Sequence, residues 1–423
     1  MAQRRIAETL QTLRYRWWAF FYKRCLSGFP WFWPAQAPSV PAMVEARRSI
    51  RRHFGRHHHP LYRALAKVFA AIVWPPAALL QLWEVRYFQG PATVPIKRAP
   101  GALWAAMRHN VLPSEYYAYG LWQKDRKANI DDYLYFKEGL RLFKLLNRPE
   151  QPDPIDDKLA FHGMCKAHAL PTPEIFAAFP PAGRLQEFES GQPPKRDLFV
   201  KPRFGLGSNG VERFRWSGTV FESSRGCRLS PQDLRGYLIT RAQKENRALL
   251  VQPSLSNHPA LGIVPSAHLA AVRLVTGLST DGNVLPIYGL IYFPQVDHMA
   301  PRYVSVALVD VANGRLTRPQ ELWGAKQLND RPGDSDFDCT LPEWDKALQH
   351  AKAAHRACSN FAFIGWDIAF TAQGPILLEG NANWTGVEYQ RLRGEPLGHT
   401  AFADILATRL HDLSQKGDVS VAP

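Results

Sequence analysis

Residues 365–384, GWDIAFTAQGPILLEGNANW, restrict the fold of this 423-residue chain more than any other stretch. Trp366, Ile368 and Phe370 alternate with Asp367 and Ala369, the period of a half-buried strand. The turn TAQGP follows, then the apolar run Ile376, Leu377 and Leu378, then Glu379 and Asn381. A three-residue loop, Ala372-Gln373-Gly374, would put the glycine at the left-handed position such hairpins favour. Thr371 then faces Pro375, and counting outward sets Asp367 opposite Glu379, with Asn381 two residues on and on the same face. Opposed carboxylates repel unless a cation lies between them. Mg²⁺ takes oxygen ligands and links one or two carboxylates to substrate phosphates. The alternative reading of the hairpin is a pair of acids facing solvent.

A second segment fits a polyphosphate. In LFVKPRFGLGSNGV (198–211) a strand ends at Lys201-Pro202 and a loop with Gly205, Gly207, Ser208 and Gly210 follows. Glycines let a backbone curl its N–H groups toward an anion, and Lys201 adds a point charge beside them. The loop lacks the ending of a P-loop and the strand-to-helix placement of a dinucleotide fingerprint. Taken alone it is also compatible with a plain turn. Its weight comes from the acid cluster, since a triphosphate needs donors on one side and a cation on the other.

The positive charge is elsewhere. Residues 1–100 hold 16 Lys+Arg and 3 Asp+Glu, a balance of +13 out of +15 for the whole chain. The same region is aromatic-rich, as in RYRWWAFFYKRC and GFPWFWP. Ile6, Leu10, Leu13, Trp17, Phe20 and Phe21 follow helical spacing, with basic residues left for other faces. Such a helix reads either as an interfacial membrane helix or as one docked on its own protein. No nucleic-acid motif accompanies the charge. The run VFAAIVWPPAALLQLW (68–83) is too short to span a bilayer, and Pro75-Pro76 are expected to break it. His57, His58 and His59 read as a solvated basic patch. Five cysteines without a CxxC pair argue for a reducing, cytoplasmic setting, with no disulfide framework and no zinc site.

Helical patterns run over 102–125 and 130–147, with a linker at 147–154 and a helix over 156–170 capped by Asp156 or Asp157. Short strands and turns follow, and a helix at 342–361 precedes the hairpin. The pattern predicts an α+β fold of two lobes. The expected divisions are an N-terminal extension (1–100), a helical lead-in (101–154), a lobe with the glycine loop (155–245), a lobe with the metal site (246–410) and a frayed tail (411–423).

Together, FVKPRFGLGSNGV, GWDIAF…ILLEGNAN and DDKLAFHGMCKAHALPTPEIF resemble the ATP-grasp superfamily. The chain is most similar to its sugar-transfer-associated members, which carry an upstream helical segment like NVLPSEYYAYGLW (110–122). The resemblance covers about residues 102–405 and leaves residues 1–100 unexplained. It implies two α+β lobes clasping ATP. Lys158 and Lys201 would hold the phosphates, and residues 205–210 would form a lid. Gln252 and Leu255 would frame the adenine, although the superfamily often has an acid where Gln252 stands. Arg273 would neutralise the transferred phosphoryl group. Asp367, Glu379 and Asn381 would hold one or two Mg²⁺, with Mn²⁺ as a substitute.

The activity this implies is an ADP-forming ligase joining a carboxylate to an amine or other nucleophile, in a surface-glycan or lipid-linked pathway. A phosphotransferase acting on a hydroxyl and an inactive nucleotide-binding scaffold are the rivals. Thr385, Glu388, Arg391 and Arg393 are candidate substrate contacts or solvated loop charges. The expected location is cytoplasmic, peripheral on the inner face of the membrane through residues 1–100.

Overall fold

The computed structural model describes residues 40–56, 60–89, 94–147, 153–182, 188–189, 191–205, 210–262, 268–294, 304–321 and 338–415. The aromatic helix expected within residues 1–34, the histidines at 57–59, Gly207, Ser208 and the end of the tail lie outside them. The chain divides into two compact units. Residues 1–145, 325–330 and 385–423 form one, and residues 146–324 and 331–384 form the other.

The first unit is helical. Helix Pro41–Arg56 is followed by the 30-residue helix Pro60–Gln89, then by Ala99–His109, Pro113–Ala118, Lys124–Ala128 and Phe136–Leu146. The pattern expected as one helix over 102–125 is interrupted because Asn110 takes a left-handed conformation, φ 56°, and Pro113 opens the next helix. In the other direction, Pro75 and Pro76 do not break their helix. Proline in a helix interior forfeits a hydrogen bond, and here Trp74, Ala77 and Ala78 are buried around the defect. The Trp74 indole N–H donates to Ala106 O at 3.0 Å.

Two polar anchors tie this unit together. Arg47 donates from Nε to Glu138 Oε1 at 2.8 Å and from Nη2 to Tyr133 O at 3.1 Å. Gln390, on the helix Val387–Arg393, is fully buried. Its side chain accepts from Leu134 N and donates to Leu134 O, both at 2.9 Å. The segment after residue 384 therefore packs in the helical unit, where the sequence pattern had attached it to the second lobe.

Among its described residues the second unit holds two antiparallel sheets of six strands. The first contains β1 (Ala177–Phe179), β2 (Leu198–Pro202), β3 (Glu212–Trp216), β4 (Phe221–Ser223), β5 (Arg228–Leu229) and β6 (Leu249–Pro253), in the order β1-β6-β2-β3-β4-β5. Strand β6, expected to open the second lobe, is thus hydrogen-bonded in the first sheet between β1 and β2. Helix Pro231–Glu245 buries Leu234, Leu238 and Ala242 against Leu198, Val200 and Phe214. The second sheet contains β7 (Ala271–Leu278), β8 (Val284–Pro294), β9 (Val304–Val309), β10 (Gln320–Glu321), β11 (Phe363–Thr371) and β12 (Gly374–Asn381), in the order β10-β9-β8-β7-β11-β12. One face packs on helices Lys158–Ala167 and Trp344–Ala357 through Phe161, Cys165, Ala347, Ala351, Ile368, Phe370 and Leu377.

The β11–β12 hairpin differs from the expected one in two places. Thr371 pairs with Gly374 and not with Pro375, so the turn has two residues, Ala372 and Gln373. Gly374 has φ +106°, a region that favours glycine. One residue is then inserted on β12. Ile368 pairs with Leu377, but Asp367 pairs with Glu379, leaving Leu378 as a bulge. The shorter turn and the bulge offset each other, and Asp367 stands opposite Glu379 as the sequence predicted.

Candidate functional site

The face of the second sheet away from its helices carries the charged residues. Asp367 is paired across β11 with Glu379 on β12 and with Arg273 on β7. Strand β7 is central in the sheet, so Arg273 is not at an edge. Its guanidinium grips the carboxylate twice, Nε to Oδ1 at 2.5 Å and Nη2 to Oδ2 at 3.1 Å. Burial lowers the Arg273 pKa, but the charge of Asp367 and the hydrogen bonds to it outweigh that effect and hold the guanidinium protonated. Asn381 Nδ2 lies 3.4 Å from Asp367 Oδ2 and 3.4 Å from Gly365 O.

Glu379 is in the opposite electrostatic position. Burial pushes its carboxyl above the usual carboxylate range, and the nearby Asp367 adds to the shift. Lys158, Lys201 and Arg273 only partly counter it. The site therefore has two carboxylates facing each other, one of them reluctant to ionise, beside an amide. This oxygen-only donor set suits Mg²⁺, which would offset the burial of the Glu379 carboxylate and its repulsion from Asp367.

Two lysines approach from other elements. Lys158 is the first residue of the helix Lys158–Ala167. Its Nζ donates to Gly205 O at 2.9 Å and lies 3.4 Å from Glu379 Oε2. The helix start is fixed by Asp157, whose Oδ1 caps Leu159 N at 2.9 Å. The same carboxylate receives Arg203 Nε at 2.7 Å and Nη2 at 2.5 Å. Lys201 is on β2, with only 8% of its surface exposed. Burial pushes its amine down to about 8; Glu379 opposes the shift, and Lys158 adds to it. A charged amine held there at a cost is suited to a polyanion that restores its charge.

The described ends of the glycine loop are set by backbone conformation. Gly205 has φ +121° and Gly210 φ +85°. A Cβ at Gly210 would lie 3.0 Å from Pro202 Cγ. Gly210 O accepts from Arg241 Nη2. Arg241 Nη1 is 2.9 Å from Glu212 Oε2, and the fully buried Glu212 also accepts from Tyr237 Oη at 3.0 Å. These residues anchor the loop where β3 begins. Gln252 is buried on β6 opposite Phe199, and Leu255 is half-buried three residues further on.

The structure thus gathers Lys158, Lys201, Arg273, Asp367, Glu379 and Asn381. Thr385, Glu388, Arg391 and Arg393 belong to the helical unit, where Thr385 Oγ1 donates to Glu388 Oε2 at 3.1 Å. Sequence reasoning missed the Asp157–Arg203 clasp and the Glu212–Arg241 anchor. Glu212 could have been noticed as an acid in step with Phe214 on the inward side of an alternating strand. Arg203 has no sequence signal apart from its place beside Lys201-Pro202.

A family profile described as sugar-transfer associated ATP-grasp matches residues 139–402, more than half of the chain. No curated protein matches the sequence. Among solved structures, an N5-carboxyaminoimidazole ribonucleotide synthetase bound to ADP aligns at 11% identity and TM-score 0.33. The alignment covers 55% of this chain and 46% of that enzyme, so this chain spans less than half of it. A D-alanine–D-alanine ligase from Bacillus anthracis complexed with ATP aligns at 13% identity and TM-score 0.36, covering 62% of this chain and 68% of that one. An L-amino acid ligase from Bacillus licheniformis aligns at 12% identity and TM-score 0.33, covering 60% and 48%.

Proposed function

Because the chain belongs to the sugar-transfer-associated ATP-grasp family, we propose that it is an ATP- and Mg²⁺-dependent ligase that activates a carboxylate as an acyl phosphate. The observation that carries this reading is the convergence of Lys158, Lys201 and Arg273 on the Asp367–Glu379 pair. Lys201 and Lys158 bind the triphosphate, and ATP contact keeps the Lys201 amine charged. Arg273, oriented by its two bonds to Asp367, faces the charge that develops on the transferred group. Asp367, Glu379 and Asn381 would hold Mg²⁺, which would supply positive charge to the phosphate oxygens. Gln252 and Leu255 frame the adenine. The loop 205–210 closes over the phosphates and excludes water from a mixed anhydride that water would destroy.

In the reaction, a substrate carboxylate oxygen attacks the γ-phosphorus and ADP leaves. An amine or other nucleophile then attacks the acyl carbon, and inorganic phosphate departs with one of the original carboxylate oxygens. The family description favours a role in surface-glycan or lipid-linked assembly, and the basic, aromatic residues 1–34 favour a place on the inner membrane face. The rival reading is transfer of the phosphoryl group to a hydroxyl, which the same charged residues would also serve.

Oxygen labelling separates the two. A screen of sugar acids and amino acids for ADP release identifies the carboxylate, which is then labelled with heavy oxygen. The ligase yields ADP and labelled phosphate. A stable phosphorylated product, AMP, or unlabelled phosphate rejects it, and the stable phosphorylated product establishes the kinase.

A further inference from the structure

The helix Pro60–Gln89 is apolar on two opposite sides. Trp74, Ala77, Ala78 and Val85 are buried within their own unit. Leu65, Val68, Ile72, Leu79 and Leu80 are exposed, at 60%, 58%, 68%, 52% and 51%. From Leu65 to Leu79 the spacings are 3, 4 and 7, which places these side chains on one stripe. At about 1.5 Å per residue the stripe is about 21 Å long. Exposed large apolar side chains aligned on one helix face mark an interaction site.

We propose that this stripe is an interfacial membrane contact that lies in the headgroup region of an anionic bilayer. No helix among the described residues is long and apolar enough to cross a membrane. With one apolar side packed in its own unit, the exposed stripe is the side left to meet a bilayer, and a helix not long and apolar enough to cross it would lie in the plane of the interface. Charge selects between the two apolar occupants. Residues 1–100 carry +13. Two copies meeting stripe to stripe would bring together two such segments, whereas an anionic headgroup layer attracts them. The inference extends the membrane placement suggested by residues 1–34, but it rests on a different helix and stands or falls separately.

The test uses full-length protein and vesicles of phosphatidylcholine with 30% phosphatidylglycerol (about one lipid in three). Three proteins are compared: wild type, Val68→Glu/Ile72→Glu, and Trp17→Glu/Phe21→Glu. Both changes in the first variant are at exposed positions, so its melting temperature and ADP formation should match wild type. Wild type is expected to sediment with the vesicles, less so as salt rises, and Val68→Glu/Ile72→Glu to lose at least about tenfold in partition coefficient. Unchanged partition of that variant overturns the inference, and loss confined to Trp17→Glu/Phe21→Glu assigns the contact to the first residues alone. Wild type that ignores the vesicles also overturns it. So does a salt-stable dimer that Val68→Glu/Ile72→Glu dissociates, since the occupant is then a second copy.

Discussion

Lys201 should oppose folding and assist nucleotide binding, and pH separates the two effects. Burial pushes its amine from the ordinary 10.5 down to about 8 in the folded protein. A base with a depressed folded pKa contributes stability above its unfolded value, and that stability is lost as pH falls through the folded one. About 2.5 pH units at 1.36 kcal/mol each give about 3 kcal/mol. Wild type should therefore gain about 3 kcal/mol from this group between pH 8 and 10.5, measured by urea unfolding without ligand. Lys201→Met should lack that gain and be the more stable protein at pH 7, by up to the same about 3 kcal/mol less any packing loss. Nucleotide binding has the opposite sign, because phosphate binds the charged amine. ADP affinity measured by calorimetry in EDTA should be level below pH 8 and fall by up to about tenfold per pH unit above it. Lys201→Arg, charged throughout, should remove that fall. Equal pH slopes of unfolding in wild type and Lys201→Met, or ADP affinity unchanged from pH 7 to 10, would refute the reasoning.

Glu379→Gln should cut ADP formation by about 10² or more while unliganded stability holds or rises, because the change removes a repelling carboxylate; steady-state turnover with chemical denaturation checks both. Gly365→Ala places a Cβ 3.0 Å from Arg273 Cδ and 3.1 Å from Trp384 Cβ. It should lower kcat by about tenfold with the KM for ATP little changed, and normal kcat would show that Arg273 tolerates displacement. Glu115 is buried in the helical unit and accepts from Phe136 N at 2.7 Å. Burial pushes its carboxyl up to about 7. For an acid with a raised folded pKa, stability is full below the unfolded value of 4.5 and is lost as pH rises through 7. Wild type should lose about 3 kcal/mol from this group between pH 4.5 and 8, and Glu115→Gln should not; unfolding curves at the two pH values decide it.

The acid pair was legible because strand alternation and turn composition are local. The place of Lys201 near the end of β2 was legible for the same reason, since a charged residue ending an apolar strand stands out in sequence. The two-residue turn and the Leu378 bulge were not, because Ile376, Leu377 and Leu378 are all apolar and conceal which of them is unpaired. The placement of β6 was also hidden, since partner choice among antiparallel strands depends on tertiary packing. The helix through Pro75-Pro76 survives for a comparable reason: burial of Trp74, Ala77 and Ala78 outweighs a local preference. The Asp157–Arg203 clasp joins residues 46 apart, a distance over which sequence periodicity carries no information.

The bulge at Leu378 makes the acid pair a matter of odd and even counting. Leu377 and Glu379 are two apart, so an unbroken β12 would send both to the same side of the sheet. Because Leu378 is unpaired, Leu377 faces the helices while Glu379 faces Arg273 and the lysines. The same reversal turns Gly380 inward, where a Cβ would lie 2.7 Å from Ile155 Cδ1. Deleting Leu378 would put Glu379 directly after Leu377, and plain alternation would still keep Leu377 on the helix side and Glu379 opposite Asp367. A β12 that kept Leu378 and paired it regularly would instead set Leu378 opposite Asp367 and turn Glu379 to the side of Trp366, offering a carboxylate to the core. The site thus depends on a parity as well as on the identity of its residues, and a sequence could keep Asp367, Glu379 and Asn381 and still lose it by straightening that bulge.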